Sequence, residues 1–325
     1  MPTTNFPGGL TIWGTPGVPL LPNPSASYFG NVWFVDTVNG SDGNDGKGPN
    51  TAFRTMGRAL WFDTIAAGAG TQANVGPNDT IYFVGTVREQ LIAPLTKVVN
   101  GVATAVTGVQ IVGMAQGGVR DDGGAKWTYP ASGAVAGMAL LSLRQQGWAT
   151  YGFLMTPEPT SGAAIVLNRQ ENATYPDSSH FIADSMRFVG IDVTTTYGIR
   201  DIGGCSNVLV QNCEFYLLTT GYYCSSTAIA VPLRNRFIGN RFLQNTNDFI
   251  APMSYGIIEQ NRFFSSAATT KINNSGGGFC VVTGNIFPDA ALDIDPAHGY
   301  DGNATDSWTG NLVPNQAAFV FGDPA

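Results

Sequence analysis

Hydrophobic and polar positions first follow a pattern in which proline dominates. Prolines occur at positions 2, 7, 16, 19, 22 and 24, and four aromatic residues lie among them, Phe6, Trp13, Tyr28 and Phe29. Because proline fixes φ and removes an amide donor, residues 1–30 are predicted to form an extended arm. The aromatic rings indicate that this arm lies on another surface, either of this chain or of a partner.

A strand and a polar loop are predicted at the start of the next segment, residues 31–77. Residues 32–36 (VWFVD) have the composition of a strand, and residues 39–46 (NGSDGNDG) consist of turn formers. The loop has acidic residues but lacks the five-residue spacer and the closing glutamate of an EF-hand. We therefore interpret it as a tight turn.

A short amphipathic helix is predicted after this loop. Phe53, Met56 and Leu60 are spaced i, i+3, i+7, which places them on one helical face, and Asn50 or Thr51 can act as the N-cap. A helix at this point in the chain can close the open end of a repetitive β-structure. We predict an N-terminal cap with this role.

From about residue 78 to 287 the chain consists of short apolar runs separated by polar corners. The later runs share an apolar strand, a corner Asn or Asp, and an aromatic residue two to four positions on. The corner residues are Asp184, Asn212, Asn240, Asn261 and Asn285, at spacings of 28, 28, 21 and 24. One coil of three strands needs a chain of about this length.

This repeat predicts an all-β chain, a single-stranded right-handed parallel β-helix with a short N-terminal capping helix. We expect each corner Asn to adopt a left-handed or bridge backbone and to bond the Asn of the next coil, while the phenylalanines stack inside. A two-sheet sandwich is the structural alternative. Residues 288–325 are rich in Asp and Gly, which predicts a C-terminal cap or tail.

Composition agrees with many corners and excludes several partners. The chain has 41 glycines, and only 12% of its 325 residues are charged. The net charge is −7 and no run of Lys or Arg occurs, so we predict no nucleic-acid partner. No apolar stretch approaches 18–20 residues and the N-terminus lacks the pattern of a secretory signal, so no membrane contact is expected.

The four cysteines, Cys205, Cys213, Cys224 and Cys280, show no C-x-x-C spacing, which leaves a zinc site unsupported. We interpret them as reduced, inward-facing core residues, with a disulfide between stacked coils as the alternative.

Candidate chemistry is scattered over the coils. The charged candidates are Asp184, Asp192, Asp201, Glu214, Asp248, Glu259, Arg236, Arg241 and Arg262. A glycoside hydrolase needs two carboxylates about 5–9.5 Å apart, and the favoured interpretation is instead a solvated outer face. Arg241 and Arg262 follow the corner Asn in neighbouring coils. They form either a charge ladder with interleaved carboxylates or a binding stripe for an acidic partner.

The remaining motifs indicate no reaction. His180 and His298 lie in no nucleophile or zinc-protease motif, and the glycine run at 275–278 lacks the Lys of a phosphate-binding loop. We assign no catalytic, cofactor-binding or metal-binding residue, and no cofactor.

The opening of the chain resembles that of phage β-helix proteins of the pectate-lyase-like superfamily. The resemblance rests on Phe34-Val35-Asp36, the loop at 39–46 and the F-x-T-x-x-x-A-L pattern from Phe53 to Leu60. It covers about 30 residues and, with the coil pattern, implies the fold over most of the chain. Lyases of this superfamily use Ca²⁺ held by carboxylates, with Arg or Lys as the base.

The resemblance implies two competing roles in a virion. The first is a capsid decoration (cement) protein, a homotrimer that binds the major capsid protein on the outer head surface and has no enzymatic activity. The alternative is a tailspike-type protein that binds or cleaves polysaccharide as a lyase or hydrolase. A bacterial extracellular β-helix enzyme is a third candidate. From the sequence we favour capsid decoration.

Overall fold

The fold is taken from a computed structural model. The structure describes residues 11–12, 15–16, 30–63, 68–114, 124–160, 162–167, 178–191, 196–224, 231–264, 271–287, 300–302 and 305–312. The arm at 1–30, except for two short strands, and Asp192 and His298 lie outside this range.

Three parallel sheets make up the body, with strands numbered in chain order. Sheet A contains β3 (Val32–Asp36), β4 (Thr80–Val84), β9 (Gln110–Gly113), β12 (Ala149–Tyr151), β15 (Ile182–Asp184), β18 (Leu209–Gln211), β21 (Arg236–Ile238), β24 (Ile257–Glu259), β27 (Val281–Thr283) and β29 (Ser307–Thr309). Sheet B contains β5 (Thr86–Arg88), β10 (Lys126–Thr128), β13 (Leu154–Thr156), β16 (Arg187–Val189), β19 (Glu214–Tyr216), β22 (Arg241–Leu243) and β25 (Arg262–Phe264). Sheet C contains β6 (Leu91–Ile92), β11 (Leu141–Leu143), β14 (Ala163–Leu167), β17 (Tyr197–Asp201), β20 (Thr220–Cys224), β23 (Asn247–Ile250), β26 (Ile272–Asn273) and β28 (Tyr300–Asp301).

Smaller elements complete the described chain. Two short antiparallel pairs join β1 (Thr11–Ile12) to β2 (Thr15–Pro16) and β7 (Thr96–Val99) to β8 (Val102–Ala105). A 3₁₀ turn spans Pro49–Thr51, and the helix α1 spans Met56–Leu60.

The chain visits the three sheets in the order A, B, C and then returns to A one strand higher, which is the course of a β-helix. The predicted right-handed parallel β-helix is confirmed. The strands are parallel and in register, as in Phe188↔Phe215 and Phe215↔Phe242. Strands β28 and β29 continue sheets C and A beyond residue 287, where the sequence pattern predicts the end of the coils.

Buried asparagines join the coils at the corner between sheets A and B. Asn240 donates from Nδ2 to Oδ1 of Asn261 (2.9 Å), Asn261 to Asn285 (3.0 Å), and Asn285 to Asn311 (2.9 Å). We call these four residues the Asn ladder. Each is at most 2% exposed, so every amide bond in the ladder is shielded from water. The predicted coil-to-coil amide bonding is thus correct for Asn240, Asn261 and Asn285.

The predicted backbone of these corners needs correction. The left-handed residue comes one position before the ladder, at Gly239 (φ 66°), Gln260 (φ 56°) and Gly284 (φ 64°). Asn212 does have the expected φ of 54°, but it matches those left-handed positions and not the ladder. The ladder positions in its coil and the coil below are Cys213 and Met186, so the predicted alignment of Asp184 and Asn212 with the ladder is out of phase.

Aromatic rings stack inside sheet B as predicted. The ring centroids of Phe188, Phe215, Phe242, Phe263 and Phe287 follow one another at 4.8, 4.8, 4.9 and 5.1 Å, with the rings within 14° of parallel. This spacing is that of neighbouring strands, so each ring packs flat on the ring of the next coil. The stack extends the apolar core along the helix axis.

The helix α1 begins later than predicted. Its N-cap is Thr55, whose Oγ1 accepts from Arg58 N (3.1 Å), and neither Asn50 nor Thr51 caps it. Asp42 fixes Thr55 in place by accepting from its backbone N and its hydroxyl (both 3.0 Å). Met56 and Leu60 are buried in the core. Whether α1 closes the end of the coil stays a prediction.

The four cysteines are free and buried, in agreement with the reduced-core interpretation. No helix among the described residues is long and apolar enough to cross a membrane.

Candidate functional site

The carboxylates singled out in the sequence point in different directions. Glu214 lies on the outer face of sheet B and Glu259 on that of sheet A, whereas Asp248 is completely buried in sheet C. These three carboxylates therefore do not form the pair that a glycoside hydrolase requires. Asp184 accepts from the side chains of Gln211 (2.8 Å) and Asn212 (3.2 Å), which makes it part of the coil-to-coil bonding.

Asp201 is a buried structural carboxylate. Its oxygens accept the backbone N–H groups of Gly203 (3.1 Å), Gly204 (2.9 Å) and Cys205 (2.8 Å), and they fix the turn that follows β17. Burial raises the pKa of Asp201 from its ordinary 3.8 to about 6, against the opposing effect of these three donors.

This shifted pKa predicts a pH dependence of stability. The folded protein holds the Asp201 proton more tightly than the unfolded chain, so the free energy of unfolding falls as the pH rises from about 4 to about 6. The expected loss is on the order of 2–3 kcal/mol. Urea unfolding across this interval measures it, and Asp201→Asn is expected to lack this contribution. Identical pH slopes for the two proteins would contradict the prediction.

A row of cations marks the outer face of sheet B. The first outward position of successive strands is occupied by Lys126, Leu154, Arg187, Glu214, Arg241 and Arg262, which the register aligns. We call the five charged residues of this row the basic stripe. Four cations against one carboxylate give it a net charge of +3, on a chain whose net charge is −7.

One carboxylate holds two of these cations. Glu214 bonds Arg187 (Nε–Oε1 2.7 Å) and Arg241 (Nη1–Oε2 3.4 Å). The predicted interleaving of charges is therefore correct on one side of Arg241. On its other side Arg241 pairs in register directly with Arg262, which is exposed and makes no salt bridge with any described residue. Positive charge is left over at this end of the stripe.

Aromatic and apolar side chains run beside the basic stripe. The second outward position of the last four strands is occupied by Val189, Tyr216, Leu243 and Phe264. Phe264 is 38% exposed, and Tyr216 is partly exposed. Cations beside exposed rings form a surface that can contact both the charge and the ring faces of an anionic polymer.

The sequence contained a signal for this row. Each stacked phenylalanine is preceded by a charged residue and followed by an apolar one, in RFV, EFY, RFL and RFF. The corner pattern pointed to Glu214, Arg241 and Arg262 as candidates but missed Arg187, Tyr216 and Phe264. Alignment on the phenylalanine, instead of the corner asparagine, brings all of them into one row.

The other candidates lie elsewhere. Arg236 is exposed on sheet A, between Leu209 and Ile257 in register. His180 occupies an exposed left-handed corner with φ 62°. The loop carboxylates Asp36, Asp42 and Asp45 each accept backbone N–H groups, in agreement with a tight turn. Within the described ranges no three His, Cys, Asp or Glu residues come together as a metal site.

Solved structures with a similar fold include polysaccharide lyases. A rhamnogalacturonan lyase is 12% identical with a TM-score of 0.48, and the match covers 81% of this chain and 69% of the lyase. An alginate lyase from Paenibacillus sp. str. FPU-7 is 16% identical with a TM-score of 0.45, covering 77% of this chain and 93% of the lyase.

A phage protein is also among the similar structures. The Dettilon tailspike protein (gp208) is 10% identical with a TM-score of 0.27, covering 71% of this chain and 64% of the tailspike. No protein-family model matches the chain, and no curated protein matches it. Similarity at this level carries no function over to the chain.

Proposed function

We propose that this chain is a virion β-helix that binds an acidic polysaccharide along the outer face of sheet B. The observation that carries the proposal is the basic stripe, with its excess of positive charge and the exposed ring of Phe264 beside it. This is the tailspike-type alternative that the sequence left open, in its binding form. A lyase or hydrolase activity is not part of the proposal, because the predicted carboxylates lie on different sheets.

The spacing of the cations matches an extended polymer. Strands of one sheet are about 4.8 Å apart, so Arg187 and Arg241, two strands apart, are separated by about 10 Å. A polysaccharide with one acidic group per disaccharide repeats its charge over a similar distance. Such a chain lies along the helix axis, with its charges at the arginines and its rings against Tyr216, Leu243 and Phe264.

Binding should depend on the unpaired end of the stripe. Arg241→Gln with Arg262→Gln is expected to weaken the binding of hyaluronan by at least about tenfold at low salt, because two charge contacts are lost. Isothermal titration against hyaluronan measures the effect, with neutral dextran as the comparison. Added salt should weaken binding to the unsubstituted protein, since the stripe is exposed.

A matched control removes the same charge elsewhere. Arg234→Gln with Arg236→Gln alters exposed arginines at the corner before sheet A and on sheet A itself, and it should leave the affinity unchanged. Equal losses in both double variants would indicate a general charge effect and would contradict a site on sheet B. Equal affinity for dextran and hyaluronan would also count against the proposal.

Capsid decoration is the second candidate function, and an exposed apolar corner favours it. Tyr255 and Phe279 are each 58% exposed and stack at 5.3 Å, with Leu233 (42% exposed) and Val281 (40%) beside them. Contiguous exposed apolar side chains are typical of protein interfaces. A homotrimer, contact with the major capsid protein and a place on the capsid exterior remain proposals. Cryo-electron microscopy of intact particles distinguishes density on the head from density on the tail.

A further inference from the structure

A column of left-handed residues turns the chain into sheet A, and the column is interrupted by glycine. Its first four members are Asn78 (φ 60°), Gly108 (φ 71°), Gly147 (φ 74°) and His180 (φ 62°). Hydrogen bonds confirm that they stack, since Asn78 N donates to Thr107 O (2.8 Å) and Gly108 N to Gln146 O (3.1 Å). The two glycines leave a gap in the row of side chains.

This gap is a notch of about 310 Å³ on the surface, which we call the corner notch. Its lining residues are Asn78, Thr107, Gly108, Gln146, Gly147 and His180. At about 4.8 Å per coil, the corners of Asn78 and His180 are about 14 Å apart along the axis. The volume lies at the lower end of the range of small-ligand sites, about 300–1,000 Å³.

Four side chains in the corner notch keep their hydrogen-bonding capacity for a ligand. The amides of Asn78 and Gln146, the hydroxyl of Thr107 and the imidazole of His180 make no side-chain hydrogen bond within the described part of the chain. Together they supply both donors and acceptors. None of the lining residues is Lys, Arg, Asp or Glu, so the lining favours an uncharged ligand.

We propose that the corner notch is a binding site for a neutral sugar unit. Sugar hydroxyls donate and accept at once, as these amides, hydroxyl and imidazole do. A peptide strand fits less well, because the corner N–H groups are already bonded from coil to coil, as Gly147 N is to Ser179 O (3.0 Å). The site is separate from the basic stripe, and its ligand differs from the acidic polymer proposed there.

The structure offers a direct way to fill the corner notch. Asn207 occupies the same column one coil above His180 with φ 57°, so asparagine suits this backbone. In Gly147→Asn the new Cβ meets only Gly108, at 3.4 and 3.5 Å, and the amide then occupies the floor of the notch. Gly133→Asn is the matched control, since Gly133 has the same φ of 74° and nothing within 4 Å.

Saturation-transfer NMR on the full chain tests the site with D-glucose, D-galactose, L-rhamnose, N-acetyl-D-glucosamine and D-glucuronate. We expect transfer to at least one neutral sugar. Gly147→Asn should weaken binding at least about tenfold by filling the space, and Gln146→Ala should weaken it by removing an amide. Gly133→Asn and the Arg241→Gln/Arg262→Gln variant should keep it.

Three results would overturn the proposal. These are an absence of transfer to all four neutral sugars, transfer to glucuronate alone, or equal transfer in Gly147→Asn and the unsubstituted protein. Circular dichroism and the unfolding midpoint check that each variant is folded. Because the stripe variant is measured in parallel, failure at one site is distinguishable from failure at the other.

Discussion

Asn261→Ala is expected to destabilise the protein by about 3–6 kcal/mol. The Asn261 side chain accepts from Asn240 N and Asn240 Nδ2 (both 2.9 Å), and it donates to Phe237 O (2.9 Å) and Asn285 Oδ1 (3.0 Å). All of these groups are buried, and alanine leaves the Asn240 N–H and the Phe237 carbonyl without partners. Each orphaned group costs about 1–3 kcal/mol.

Urea unfolding measures this loss, and Asn212→Gly is the control. Asn212 lies at a corner of the same kind, but its side chain is exposed and glycine accepts its φ of 54° without strain. We expect the control to change stability by less than about 1 kcal/mol. Similar losses for the two variants would mean that the Asn ladder does not contribute the stability inferred from its bonds.

Hydrogen exchange can locate the effect in the chain. Coils of a β-helix contact mainly their neighbours, so loss of Asn261 should raise exchange first in β21, β24 and β27. Strands near α1 should keep their protection. A uniform rise along the chain would show that the coils unfold as one cooperative unit.

Phe242→Ala is expected to cost about 3–5 kcal/mol. The Phe242 ring is 1% exposed and lies between Phe215 at 4.8 Å and Phe263 at 4.9 Å, so its removal leaves a cavity inside a continuous stack. The regular spacing of the coils restricts collapse of the neighbouring rings into this space. The cost therefore falls in the range for large buried aromatic residues.

Phe264→Ala is the matched control for this prediction. Phe264 lies on the neighbouring strand but points outward and is 38% exposed. Its truncation should cost about 1 kcal/mol or less, while it removes an aromatic contact from the proposed polysaccharide surface. Phe242→Ala and Phe264→Ala thus separate stability from binding, and a large loss of stability in Phe264→Ala would contradict the assignment of inner and outer faces.

Sequence reasoning worked best where one residue type repeats at one place in every coil. The phenylalanines after each corner predicted the stack, and the asparagines predicted the coil-to-coil bonds. It failed where the coil changes composition, because Met186 and Cys213 occupy the ladder position without an amide. There, Asp184 and Asn212 are the nearest polar residues, and they take the place of the ladder residue in the sequence pattern.

The end of the repeat was missed for a similar reason. Thr309-Gly310-Asn311 repeats Thr283-Gly284-Asn285, and Asn311 closes the Asn ladder. The segment between them is rich in Asp and Gly, which hid a coil whose strands β28 and β29 are only two and three residues long. A local motif was a better guide there than overall composition.

The sequence by itself determined the parallel β-helix, because an inward aromatic and a corner amide must recur once per coil for neighbouring coils to pack and bond. Only the tertiary structure decided which polar groups share a face. Sheet register brings Arg187, Glu214, Arg241 and Arg262 into one row and places Glu214, Asp248 and Glu259 on three different sheets. Coil lengths vary between 21 and 28 residues, so positions that share a face have no fixed separation along the chain.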